Sequence, residues 1–254
     1  MCKEKWRKAS LLSRPALTEG HRQARLDWAL VNREKEWTDY VDIDEKYFET
    51  VPLRRRTRVP PGELGVKQRV LSKSNVKKVM VLVAVARPRP EHEFDGKIGV
   101  WRVTKQMTAQ RNSKNHIAGE TYEVDASMTA QIFRQLVITK LIPTIRRKMR
   151  WATQVTVQMD NAPPHVGEGN LEALQLAGIP VGKASCRVSF VCQPPMSPDT
   201  NVLDLALFRS MSTAVFPFRI NSSEHDVDGL FHTIHTSKRT HSQLKSSRAS
   251  CVKH

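Results

Sequence analysis

Three aspartates, Asp44, Asp160 and Asp204, each fall at the end of an element that the pattern of the chain predicts. Phosphoryl transfer asks little covalent chemistry of a protein. It asks for divalent cations that hold the attacking and leaving oxygens in line, and paired ions do so at roughly 3.5–4 Å from one another. Mg²⁺ is a hard ion that takes a few carboxylates and fills its remaining positions with water and phosphate oxygens. Three carboxylates on separate elements suit that demand. Aspartate at a strand end is also common for structural reasons, so the acids by themselves leave both readings open.

The elements that must position these acids follow from periodicity. Val155, Val157 and Met159 alternate with Thr156 and Gln158, which predicts a strand with one buried face ending at Asp160. Pro163 or Pro164 suits the first turn of a helix, expected to run to Gly178. An acid so placed sits at the carboxyl end of a strand, where open α/β sheets hold ligands. From Trp37 to Phe48, Val41 and Ile43 face one way and Asp42 and Asp44 the other. The run from Val79 to Ala86 is apolar throughout, as in a strand covered on both faces. Further strands are expected from Gly99 to Val103 and from Arg187 to Cys192. Ser127 to Met149 predicts the longest helix, with Phe133, Leu136, Leu141 and Ile145 in its apolar stripe, a cap at Asp125 or Ser127 and a kink at Pro143. A helix from Asn201 to Met211 carries Asp204 near its start, and Asp199 is expected to cap it. Strands, a long helix, then strand–helix–strand–helix describe an α/β domain with a mixed sheet.

Composition sets the class of partner. The 254 residues carry a net charge of +16, with 39 % hydrophobic residues, enough for a sizeable core. A pI near 10.0 favours polyanions, nucleic acid before membrane. The apolar run from Val79 is far too short to span a bilayer, and the first residues lack a secretory apolar region. Four cysteines do not make a disulfide scaffold, so a reduced intracellular protein is expected, nuclear (or in the nucleoid of a prokaryote) if DNA is the partner. Residues 1–36 predict a leading segment with one helix near His21 to Asn32, capped by Thr18. Residues 37–218 form the expected core domain, and 219–254 a poorly ordered tail.

The local sequences sharpen the reading of the acids. The stretch from Val41 to Phe48 resembles the first-acid strand of the mariner-type DDE/DDD transposases. Asp160-Asn161-Ala162-Pro163-Pro164-His165 resembles their second-acid motif. Gln193 through Asp204, with Ser197-Pro198-Asp199 five residues before Asp204, resembles the third. Aspartate at the third position fits the mariner branch, and the segment from Leu17 to Trp28 is similar to the one that joins the family's DNA-binding region to its core. The resemblance implies a ribonuclease-H-like fold and DNA transposition: two ions, Mg²⁺ or Mn²⁺, held by Asp44, Asp160 and Asp204, DNA cut at the element's end by a metal-activated water, and the freed 3′-hydroxyl attacking a target. DNA is the implied partner, with a homodimer as a further candidate. The family's paired helix-turn-helix region has no counterpart here, so a transposase truncated at its N-terminus is expected. The alternative is a remnant that binds DNA without cutting it.

Other residues carry secondary expectations. Glu45 competes with Asp44 as ligand, and Asp42 is held in reserve. Asn161 and His165 are expected to orient a ligand or a phosphate, with helix capping as the competing role for Asn161. Arg54, Arg55, Arg56 and Arg58, with Lys73, Lys77 and Lys78, are the expected phosphate contacts. Cys186 and Cys192 with His232 and His235 form a loose zinc-like set, for which buried thiols are the better reading.

Overall fold

The computed structural model describes residues 16–49, 78–167, 169–182 and 186–215. Arg54, Arg55, Arg56, Arg58, Lys73, Lys77, His232, His235 and the tail lie outside these residues.

Helix α1, Glu19–Asn32, opens with the expected cap: Thr18 Oγ1 accepts the His21 backbone N–H, and the His21 ring accepts that of Thr18. It buries none of its residues. Its anchor is aromatic, with Trp28 against Trp37 and Trp37 edge-on to Tyr40 at the start of the first strand.

The core is a five-stranded mixed sheet of order β3-β2-β1-β6-β7. Strand β1 is Tyr40–Glu49, β2 is Lys78–Ala86 and β3 is Lys97–Arg102. Strand β2 runs antiparallel to both β1 and β3. Strands β6, Gln154–Met159, and β7, Arg187–Cys192, join on parallel, β6 pairing with β1. Alternation assigns the faces. Val41, Ile43, Leu82, Ala84, Val155, Val157 and Met159 enter one cluster with Phe133, Val137, Leu141, Ile145 and Leu174. Phe48, Val79, Val81, Val83 and Val85 enter another with Val202, Leu203, Leu207, Phe208 and Met211. Each fully buried side chain of this kind contributes about 1.5–3 kcal/mol. The unbroken apolar run of β2 is thereby explained, since its odd and even residues serve different layers.

Between β3 and the long helix lies a hairpin that periodicity did not predict, β4, Thr104–Thr108, with β5, Thr121–Asp125. Arg102 fastens it through two bonds to Asp125, at 2.6 and 2.9 Å.

The predicted long helix is shorter at its start. It begins with α2, Ala130–Leu136, capped by Thr129 and not by Asp125 or Ser127. The disruption expected at Pro143 takes the form of a π-helical turn over Val137–Leu141, in which Ile142 N–H reaches back five residues to Val137 C=O. Helix α3, Ile142–Lys148, then starts with Pro143 in its first turn, where the missing N–H costs nothing. The expected helix from Pro163 to Gly178 is two: α4, Pro163–Val166, and α5, Asn170–Gly178. Gly169 has φ +66°, a left-handed conformation that cannot continue a helix. A second π turn, Leu203–Leu207, leads into α6, Phe208–Val215, which covers the other face of the sheet. No described helix is long and apolar enough to cross a membrane.

Candidate metal centre

Strand pairing brings the first two acids level. The parallel register of β1 and β6 ends with Asp42 opposite Gln158. Asp44 lies two residues further along β1, on the face of Asp42, and Asp160 is the first residue after β6. The opposite face takes Ile43, Val157 and Met159. That shared face is the one α6 covers, and its π turn carries Asp204. The segment is pinned by Asn201, which is 1 % exposed. Its Nδ2 donates to Ile43 C=O at 3.2 Å, and its Oδ1 accepts the Leu203 N–H at 3.0 Å. A neighbouring chain of bonds fixes the preceding loop: Tyr40 hydroxyl donates to Gln158 Oε1, and Gln158 Nε2 to Thr200 C=O at 2.9 Å.

The three acids feel one another. Burial, then the charge of Asp204, and then Glu45 and Asp160, push the Asp44 carboxyl up to about 8, against the opposing hydrogen bond from Glu45 N–H. Asp204 is also raised, by partial desolvation and by Asp160, with Lys46 acting the other way. Asp160 is different. Burial would raise it, but a hydrogen bond from His165 and another from Ala162 N–H hold it below the usual carboxylate range. Both bonds fall on Oδ1, at 2.5 and 2.9 Å, and among the described residues none falls on Oδ2.

His165 is 1 % exposed and reaches two carboxylates: Nδ1 meets Asp160 Oδ1, and Nε2 lies 2.9 Å from Glu45 Oε1. Burial would depress the imidazole, yet Asp160 and Glu45 outweigh it and hold it up at about 10. Glu45 therefore lies on the face opposite Asp44, occupied by His165. Asp42 is 2 % exposed, with Gln158 Nε2 at 3.4 Å.

Other expected roles change. Asn161 caps no helix: its Nδ2 donates to Gln193 C=O at 2.7 Å and ties the loop after β6 to the one after β7. Asp199 does not cap the helix that follows, a part taken by Asn201. It pairs through both oxygens with Arg25 of α1, at 2.7 and 2.8 Å, while Arg25 also donates to Ser197 Oγ and Met196 C=O. Lys78 is exposed at the first residue of β2. Cys186 is buried and Cys192 half-buried, and burial raises both thiols, which fits packing. Sequence reasoning missed Asn201 and Arg25. An asparagine at the first position of the predicted helix was the available signal for the first, and nothing local signalled the second.

The donor set tests the fit of a divalent ion. All three groups are hard carboxylates, and without added positive charge Asp44 and Asp204 sit above their ordinary range. A cation relieves that repulsion. Among the described residues no three His, Cys, Asp or Glu groups close around an ion by themselves. Mg²⁺ is commonly held by only one or two protein carboxylates, with water and substrate phosphate completing its shell.

No family model matches the sequence, and no curated protein matches it. Solved structures do. The chain is similar to a Mos1 transposase paired-end complex with a left transposon end, at 19 % identity over 99 % of this chain and 68 % of that one, TM-score 0.61. A mariner Mos1 paired-end complex with Mg gives 20 % identity, 98 % and 68 % coverage and TM-score 0.60. The catalytic domain of Mos1 mariner transposase gives 17 % identity, 96 % and 99 % coverage and TM-score 0.51. The fold is ribonuclease-H-like, a five-stranded mixed sheet flanked by helices, as in that domain.

Proposed function

We propose that this chain is the catalytic domain of a mariner-type DNA transposase, a metal-dependent enzyme that cuts DNA strands and joins the freed end to a second site. What supports the reading is the electrostatic coupling of Asp44 with Asp204 and Asp160, three acids carried by three separate parts of this fold. The similar Mos1 structures include paired-end complexes, one with a left transposon end and others with Mn or Mg, and a strand transfer complex. By analogy, two Mg²⁺ or Mn²⁺ ions, DNA as partner, a homodimer that pairs two ends and a nuclear location belong to this proposal.

The chain's own residues have separable tasks. Asp160 is held ionised and oriented through Oδ1 by His165 and Ala162 N–H. Asp44 gives up its carboxyl proton when positive charge arrives. Asp204 is presented by the π turn that Asn201 secures. The ions, once bound, supply Lewis-acid stabilisation of charge on the phosphate oxygens. Arg54, Arg55, Arg56, Arg58, Lys73, Lys77 and Lys78 are proposed to hold the DNA backbone, with affinity falling as salt rises. A remnant that only binds DNA would have no use for three mutually repelling carboxylates, whose charge only a cation offsets.

Nicking of supercoiled plasmid with Mg²⁺ or Mn²⁺ tests the reading. Wild type is expected to nick and Asp160→Asn to lose the activity; equal rates in the two proteins would remove it.

A further inference from the structure

Glu45 adjoins a proposed ligand in sequence, yet it works on the other side of the sheet. Its carboxylate lies 2.9 Å from His165 Nε2, and the other ring nitrogen reaches Asp160 Oδ1. Three elements meet in this bracket: β1 supplies Glu45, α4 supplies His165, and the end of β6 supplies Asp160. The imidazole is packed against Phe133 at 4.2 Å between centroids. Helix α4 cannot slide, because buried Asn170 donates to Pro164 C=O and to Ala130 C=O and accepts from Arg134 Nε.

We infer that Glu45 is a positioning residue for Asp160, acting through His165, and not itself a ligand. With both ring nitrogens bonded, the imidazole has one orientation. It fixes Asp160 Oδ1 and leaves Oδ2 as the atom free to meet a cation. Without Glu45 the ring keeps one bond and can swing, and the carboxylate it carries swings with it. Partners of this outer kind commonly change metal affinity or activity by about 10–100-fold. The inference rests on the metal-centre reading above.

The test is the Mn²⁺ half-saturation of the full chain, read as the loss of free-ion signal in electron paramagnetic resonance. Each protein is first checked for a cooperative melt without metal. Glu45→Ala is expected to raise the half-saturation by about 10–100-fold. Glu45→Gln keeps an oxygen that accepts from Nε2–H and is expected to stay within about threefold of wild type. If Glu45→Ala does not fold, Glu45→Leu replaces it with the same expectation. A folded apolar variant that binds as wild type overturns this inference and leaves the metal centre standing. Folded Glu45→Gln as weak as the apolar variant also overturns it, since ligation by Glu45 itself then accounts for the loss. Wild type with no saturable Mn²⁺ overturns both.

Discussion

Two corners of the candidate metal centre are built on opposite principles. At the end of β6, Asp160 is buttressed: a buried histidine and a backbone N–H share its Oδ1, and its carboxyl is held below the ordinary range. Elsewhere burial, and after it the charge of neighbouring acids, raises Asp44 to about 8 and raises Asp204 as well. One corner is fixed without a cation, and the other carries charge that a cation would offset. The lesson is that a binding site for charge need not be uniformly prepared. A pre-ionised anchor sets position, and an under-neutralised pair supplies the attraction.

The largest break in that contrast should come from the anchor. Asp160→Asn removes charge where ionisation is already secured, and the loss of several kcal/mol of charge stabilisation corresponds to roughly a thousandfold in nicking rate. Next is the histidine. His165→Ala strips a buried group bonded to two carboxylates and is expected to cost about 3–5 kcal/mol, read from urea unfolding without metal. Linkage gives its sign. The folded value near 10 is above the ordinary 6.5, so the histidine's contribution is fully present below about 6.5 and is lost as pH rises through about 10. Asp160 is shifted the other way, and its contribution is lost on acidification. A wild-type stability profile showing neither loss would remove the bracket.

The strained corner makes the reverse prediction. The folded value of Asp44 is raised from 3.8 to about 8, so the metal-free fold loses stability as pH climbs between them. Asp44→Asn should therefore raise the metal-free melting temperature at pH 8, by about 2–4 °C for each kcal/mol recovered, while abolishing the further rise that Mn²⁺ gives wild type. Because an ion displaces the Asp44 proton, Mn²⁺ affinity should fall by about tenfold per pH unit below 8. A pH-independent affinity contradicts that coupling. Smaller still is Arg25→Ala. The Arg25–Asp199 pair is bidentate but substantially exposed, and its loss is expected to cost about 0.5–1 kcal/mol in the melt.

The sheet was legible because its strands alternate. Strand β7 falls at Arg187–Cys192 as its pattern requires, and the continuous run of β2 reflects burial on both faces. The β4–β5 hairpin was not legible because its strands are largely exposed and carry no apolar stripe. The split between α4 and α5 falls at Gly167, which is extended, and Gly169, which is left-handed, and neither conformation leaves a mark in hydrophobic periodicity. The motifs name the three acids as candidates, and their role belongs to the proposal. What tunes them was not: Glu45 acts through a residue 120 positions away, and Asn201 through a carbonyl 158 positions away. Long-range polar bonds have no period, so local pattern cannot announce them.

The most direct measurement is a crystal structure of the protein soaked with Mn²⁺, located by its anomalous scattering. The account predicts a peak bounded by Asp44, Asp160 and Asp204, with carboxylate oxygens at about 2.0–2.2 Å. Manganese found only elsewhere, or a peak at that place that any one of the three acids fails to approach, would contradict it.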